Sequence, residues 1–333
     1  MFNKSFVALT LFALILFSRS AVAEPGATRI AKWHEDRDAV FLLMFDDSWP
    51  SHFQVAVPEL AKRNMVGTFY INPGKGEYIK FADEWENKLW KQGMVYGNHT
   101  MTHQGAENVD VARQEIVDCN KAILAMVPGN KPRLISWGKP GVKTWNVTKE
   151  ELAEILASEN LVDRPTFDDH GAVYHLKTTE EMLELADKAI EEKGMEYVIF
   201  HGIERIEPKW SYQDFWALKQ DIFLPLLDEL KQRQDRGELW ITDHVSYHKY
   251  EKERERANVK VSESTDRKIT VELSVDADPA FYDLPLTLVT EVPTGWKTVK
   301  VTQGETSTTV AVNDGQVMYQ ALPNAEPVTI TPE

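Results

Sequence analysis

Between Ala39 and about Thr242 the sequence alternates short apolar runs with amphipathic stretches, about seven times over. No other feature constrains the fold as strongly. Strands separated by helices run parallel, because each crossover returns the chain to the same end of the sheet. The segment therefore folds as a barrel or as an open doubly wound sheet. The first run, Ala39–Phe45 (AVFLLMF), is apolar without a break and ends in Asp46-Asp47, which reads as a buried strand. Apolar spacing predicts helices over Ser51–Arg63, Phe81–Lys91 and Val109–Met126, with strands over Val66–Ile71 and Met94–Gly97 between them. Arg133–Trp137 and Leu161–Val162 read as further strands. Between these, Thr148 with Glu151 three residues on forms a capping box that starts a helix. Thr179–Lys193 is helical and stops before Gly194, and the strands Glu196–His201 and Glu238–Thr242 bracket a long helix near Tyr212–Gln234. After the first strand FDDSWP stands where a dinucleotide-binding sheet carries GxGxxG, so the barrel is the expected form of this α/β region.

Both ends of the chain read differently. Residues 1–23 combine Lys4, the apolar run Phe6–Phe17 and the A-x-A site Ala21-Val22-Ala23. That is the pattern of a secretory signal cleaved near Ala23, and it predicts export to a periplasm or medium. The barrel is then expected over residues 24–250 and a charged linker over 251–260 (EKERERANVK). From residue 261 to 333, apolar and polar residues alternate in short runs divided by Pro, Gly, Asp and Asn, the signature of a small antiparallel β-sandwich. This part holds no histidine, so the chemistry is expected in the barrel; the sandwich either binds glycan or covers an apolar face of the barrel. Lys and Arg total 37 against 52 Asp and Glu, a formal charge of −15. That balance repels phosphate backbones and argues against nucleic-acid partners. No segment beyond the leader is long and apolar enough for a membrane span. The lone cysteine, Cys119, allows neither an internal disulfide nor a CxxC site.

Ligands of such folds bind at the carboxyl ends of the strands. Asp46 and Asp47 follow the first strand, His99 and His103 the third, and His201 ends the strand Glu196–His201. Two imidazoles one helical turn apart, with one carboxylate, suit a divalent ion, zinc foremost, and leave open positions for water. If the backbone stays extended, only one of two adjacent Asp side chains faces the ion, and the other is free to act as a general base. A metal lowers the pKa of bound water to about 7, within reach of such a base. His201 is then available to protonate a leaving group.

These segments together resemble the polysaccharide deacetylases, carbohydrate esterase family 4: FDDS after the first strand, HTMTH after the third, and IFH at the late strand. The resemblance covers about residues 35–245. It implies a distorted (β/α)7 barrel that removes acetyl groups from N-acetylglucosamine polymers or acetylated xylan. By the same likeness Asp46 matches the catalytic base, Asp47, His99 and His103 the metal triad, and His201 the catalytic acid. The sequence also departs from the family's pattern. Ser48 and Trp49 follow the aspartates where the family usually has Gly. The Arg-x-Pro-Tyr motif is matched only by Gly138-Lys139-Pro140-Gly141, so the arginine that pairs with the base is replaced by Gly138, and Lys139 is left to supply the charge. Asp168 or Asp169 is the candidate for the acidic residue that orients His201.

Lys139, Pro140 and Gly141, with Trp49 and Trp137, are the candidate substrate contacts, since sugar rings stack on exposed indoles. His244 and His248 are also four apart but read as a solvated helix face. Two alternatives fit the same residues: a hydrolase of a non-sugar C–N amide or cyclic imide on the same fold, and an inactive carbohydrate-binding protein.

Overall fold

The computed structural model describes residues 24–126, 133–165, 176–207 and 212–333. The leader at 1–23, Asp168 and Asp169 lie outside the described residues. A short strand β1 (Thr28–Ile30) precedes β2 (Ala39–Asp46). Every residue of β2 is buried, because its two faces meet two different apolar layers. Ala39, Phe41, Leu43 and Phe45 face one cluster and Val40, Leu42 and Met44 the other.

β2 is the centre of a seven-stranded sheet with β3 (Thr68–Ile71), β4 (Val95–Asn98), β5 (Ile135–Trp137), β6 (Leu161–Asp163), β7 (Met195–Phe200) and β8 (Leu239–Thr242). The order is β6-β5-β4-β3-β2-β7, with β8 also on β2, and every pairing is parallel. β7 runs along Val40–Phe45, so β3 and β8 share the other edge. β8 takes Ala39–Leu42 and β3 takes Met44–Asp46. Among the described residues no pairing joins β6 to β7, so the barrel is distorted and open at that seam.

The crossovers carry α1 (Val57–Lys62), α2 (Gly76–Lys80), α3 (Ala82–Asn87), α4 (Val109–Met126), α5 (Lys149–Ser158), α6 (Thr179–Glu192) and α7 (Gln220–Asp235). Their apolar faces, among them Leu60, Trp85, Ile116, Met182 and Phe223, pack on the Phe41–Phe45 side of β2. The Thr148–Glu151 capping box forms as expected, and a second one, Thr178–Glu181, starts α6. The helix expected near Tyr212–Gln234 begins only at Gln220. Upstream of it, Asp214 is buried, accepting from the Ser51 amide and from Arg205, and these bonds hold residues 212–219 as a loop.

The other side of the sheet is covered by α8 (His244–Glu255) and by a β-sandwich. The expected linker over 251–260 does not exist. Glu251–Glu255 is the last part of α8, and Ala257–Ser264 is strand β9. Tyr250 and Glu253 of α8 turn inward, while β9 is an edge strand whose charged side chains face solvent, a common protection of sheet edges. The remaining strands are β10 (Ile269–Val275), β11 (Leu286–Glu291), β12 (Thr298–Gln303), β13 (Thr306–Ala311), β14 (Gln316–Ala321) and β15 (Val328–Pro332). They form two antiparallel sheets, β13-β12-β15-β10-β9 and β1-β11-β14. The sandwich is therefore not confined to residues after 260, since Thr28–Ile30 pairs with Leu288–Thr290. The architecture is the expected distorted (β/α)7-type barrel with an all-β C-terminal domain.

Candidate active site

The turn after β2 departs from extended backbone at once. Asp47 and Ser48 have φ of 79° and 56°, left-handed values that few non-glycine residues adopt. The turn is held by the Asp47 amide on the Tyr70 carbonyl (3.1 Å) and by Ser48 Oγ, which accepts from the Asn72 amide (2.9 Å). This reversal removes the restriction that an extended strand places on adjacent side chains. Both carboxylates reach the same imidazole: His99 Nε2 is 3.8 Å from Asp46 Oδ2 and 3.6 Å from Asp47 Oδ1.

His99 and His103 do not sit on a helix, as their spacing suggested, but on a tight loop after β4. Thr100 and His103 have φ of 70° and 59°. The Asn72 side chain donates to the His99 and Thr100 carbonyls (2.5 and 2.9 Å), Asn98 Oδ1 accepts from the Thr100 amide, and the Glu115 carboxylate accepts from the amide and hydroxyl of Thr102. The loop still converges the rings, with centroids 5.1 Å apart. His99 Nδ1 lies 2.7 Å from the Gly138 carbonyl and is therefore the protonated nitrogen, which turns the lone pair of Nε2 toward Asp47. His103 Nε2 is 3.2 Å from the same Asp47 Oδ1. That oxygen is buried and takes no hydrogen bond. A desolvated carboxylate oxygen without a donor, facing two imidazole nitrogens, is the donor set a divalent cation needs. Ligand atoms of Asp47, His99 and His103 all lie within 4.8 Å of one another. Burial pushes the His99 pKa down to about 4 against the pull of Asp46 and Asp47, so its ring is neutral and ready to ligate.

Asp46 is oriented by a residue that the sequence did not single out. Arg164, just beyond β6, donates to both carboxylate oxygens, at 2.5 and 2.7 Å, the fork geometry of a bidentate pair. Burial by itself would raise the Asp46 pKa; the Arg164 guanidinium, aided by His99 and His201, overcomes this and holds it well below the usual carboxylate range. The guanidinium lies 4.1 Å above the Tyr70 ring. Tyr70 in turn is hydrogen-bonded to Ser136, and Ser136 to His244 Nδ1, both at 2.7 Å. His244 is thus a buried support of the site rather than part of a solvated face. Gly138 makes the arrangement possible: a Cβ there would lie 2.8 Å from Arg164 Cζ and Nε. Lys139 is exposed and makes no ion pair with Asp46; the charge expected of it comes from Arg164.

His201 directly follows β7, with Nε2 3.9 Å from Asp47 Oδ2. Burial lowers its pKa. Its carbonyl lies 2.6 Å from Nε2 of the buried His52. Lys75 Nζ is 3.9 Å from Asp47 Oδ2 and 4.3 Å from the centre of the Trp49 ring, on the rim. Trp49 is half-buried there. Trp137 is not at the rim: it is 1% exposed and packs in the helix-side core, because on the short β5 its side chain falls on the face covered by helices. Pro140 is buried and Gly141 exposed in the loop after β5.

Residues 34–155 match the polysaccharide deacetylase family model, a span that includes Asp46, Asp47, His99 and His103 and ends before Arg164 and His201. The chain is also 22% identical over 342 residues to a gellan lyase of a Bacillus species, an alignment covering 92% of this chain. It spans only 13% of that relative's length. Among solved structures, the peptidoglycan deacetylase PdaC of Bacillus subtilis is similar at 14% identity and a TM-score of 0.44, over 65% of this chain and 93% of that one. A family 4 carbohydrate esterase of Streptomyces lividans is similar at 16% identity and a TM-score of 0.41, over 60% and 90%. A pseudoenzyme of the same family from Bacillus anthracis is similar at 14% identity and a TM-score of 0.43, over 64% and 66%.

Proposed function

We propose that this chain, whose residues 34–155 match the polysaccharide deacetylase family model, is an exported, metal-dependent hydrolase that removes acetyl groups from a carbohydrate, either an N-acetylated amino-sugar polymer or acetylated xylan. The observation that carries this reading is the convergence of Asp47, His99 and His103 beside an arginine-tethered Asp46 and His201. Asp47, His99 and His103 would hold a divalent cation, and two imidazoles with one carboxylate suit zinc. When bound, such an ion supplies Lewis acidity and makes water at the site easier to deprotonate. Asp46 is kept ionised and fixed in direction by Arg164, so it can take a proton from water without first rearranging. His201 stands beside Asp47, and once protonated its lowered pKa makes it a ready donor to a departing oxygen or nitrogen. Export is supported by the leader pattern at residues 1–23.

The test separates the neighbouring aspartates. Asp46→Asn and Asp47→Asn should both lose acetate release from chitooligosaccharide and acetylated xylan, by about 100-fold or more. Only Asp47→Asn should lose metal on dialysis against a weak chelator, and excess zinc should partly restore it, since an amide is the poorer donor. Equal metal loss by both variants, or the reverse pattern, defeats the assignment.

A further inference from the structure

Large exposed aromatic side chains are concentrated at one place. Tyr212, Phe215 and Trp216 are 54%, 48% and 45% exposed, and the other large exposed hydrophobics among the described residues are aliphatic. This stretch abuts the catalytic rim. The Trp216 ring stands edge-on to His201 with centroids 5.0 Å apart, Phe215 is 5.8 Å from His201 and stacks on Trp216 at 4.2 Å, and Trp49 follows at 6.4 Å from Phe215.

The loop that carries them is built rather than merely exposed. Gly202, next to His201, exchanges backbone bonds with it: its amide donates to the Phe215 carbonyl and its carbonyl accepts from the Leu218 amide, both at 2.9 Å. A Cβ at Gly202 would fall 2.7 Å from Asp214 Cβ and 3.0 Å from the Phe215 carbonyl oxygen, so the loop lies against the strand end as closely as backbone allows. Asp214 is anchored by the Ser51 amide at 2.8 Å and by Arg205 at 2.6 Å. Trp216 has φ of 47°, a conformation that a bulky residue holds only where its surroundings impose it. Buried hydrogen bonds and backbone strain are thus used to hold two apolar rings in water beside the catalytic acid, against the general tendency to bury them.

Accepting the deacetylase reading above, we propose that Phe215 and Trp216 form a subsite that stacks on the apolar face of a pyranose adjoining the reacting sugar, so that this chain selects oligomeric glycan over monomer. Flat aromatic rings with polar surroundings match a sugar, which is apolar on its C–H face and polar at its rim. The platform is fixed to the same strand end as His201, which sets a neighbouring sugar in register with the group to be cleaved.

The test uses the full mature protein loaded with zinc, and N-acetylglucosamine and xylo-oligosaccharide series from monomer to hexamer. Binding is read by quenching of tryptophan fluorescence, with calorimetry for Trp216 variants, and acetate release is measured on the acetylated forms. The parent protein should bind tetramer at least tenfold more tightly than monomer in one of the series. Phe215→Ala and Trp216→Ala should each remove most of that gain, while Phe215→Tyr and Trp216→Phe retain it; a gain that survives both alanine substitutions, or no length dependence in the parent, overturns the subsite. Oligosaccharide binding that follows this pattern without acetate release would leave the subsite standing and sink the deacetylase reading instead. Acetate release with no effect of the variants on chain length would do the opposite.

Discussion

Asp46 takes its guanidinium from Arg164, across 118 residues of sequence, and the strand end next door is vacated by Gly138. The two positions are complementary, since a side chain at 138 would occupy the space that Arg164 fills. Arg164→Gly should therefore leave Asp46 buried without its counter-charge, which is strongly destabilising for a carboxylate, and raise its pKa. If Asp46 is the base proposed above, the acid limb of kcat/KM then moves to higher pH, because Asp46 stays protonated over a wider range, and activity at pH 7 falls about 100-fold. Adding Gly138→Arg to that variant should recover about tenfold of the loss and return the acid limb toward its original place. A double variant no better than the single one would show that the guanidinium must come from β6. The reading of Asp46, Asp47, His99, His103 and His201 needed only their places at strand ends. Arg164 also stands at a strand end, that of the three-residue β6, but nothing local in the sequence ties an arginine there to Asp46, and its role exists only through a contact remote in sequence. The left-handed turn at Asp47 was equally illegible, as Asp and Ser in that conformation look like any other loop residues.

At the scale of elements, α8 shows what charge density conceals. Its sequence, HVSYHKYEKERE, has no clear apolar stripe, so its last turn reads as linker, yet Glu253 is 0% exposed. Oε1 of Glu253 accepts from the Leu284 amide at 3.0 Å and Oε2 has no partner. Burial pushes its pKa up from 4.5 to about 7, against the milder effects of the Leu284 amide and of Lys249, while Asp283 adds to the rise. A carboxyl that holds its proton more tightly when folded makes the folded state bind more protons between these two values, so stability falls as pH rises through them. The loss is on the order of 2–3 kcal/mol and is complete above the folded pKa. Glu253→Gln keeps the acceptor and removes the ionisation. It should match the parent at pH 4.5 and exceed its unfolding free energy at pH 8, measured in urea; an equal difference at both pH values would exclude ionisation as the cause. Helix caps and continuous apolar strands were readable because their signals are local. The loop over 212–219 was not, because a buried aspartate bonded to Ser51 sets it.

The whole molecule is organised around the fact that β2 has no solvent-facing side. Val40, Leu42 and Met44, with Tyr197 and Ile199 of β7, belong to the same apolar cluster as Ile269, Val271, Leu288, Val299 and Ile330 of the sandwich. The chain entering the barrel stitches the two parts further. Trp33 Nε1 donates to the Lys193 carbonyl, the Glu35 amide to Thr287 Oγ1, and the Tyr250 hydroxyl to the Ala31 carbonyl, while β1 pairs with β11. A sandwich that covers a core face cannot unfold without exposing that face, so barrel and sandwich should melt in one transition. Leu42→Ala on the barrel side and Leu288→Ala on the sandwich side each remove a fully buried side chain, at a cost of about 2–5 kcal/mol. At about 1.5 °C per kcal/mol for a chain of this size, both should lower the same single Tm by roughly 3–8 °C. The loss of the proposed acetate-releasing activity on heating should shift with it in both variants, although Leu288 lies outside the barrel. Calorimetry decides the matter: two resolved transitions, with Leu288→Ala moving only one of them and activity following the other, would mean that the sandwich is an independent attachment, not the missing wall of the barrel.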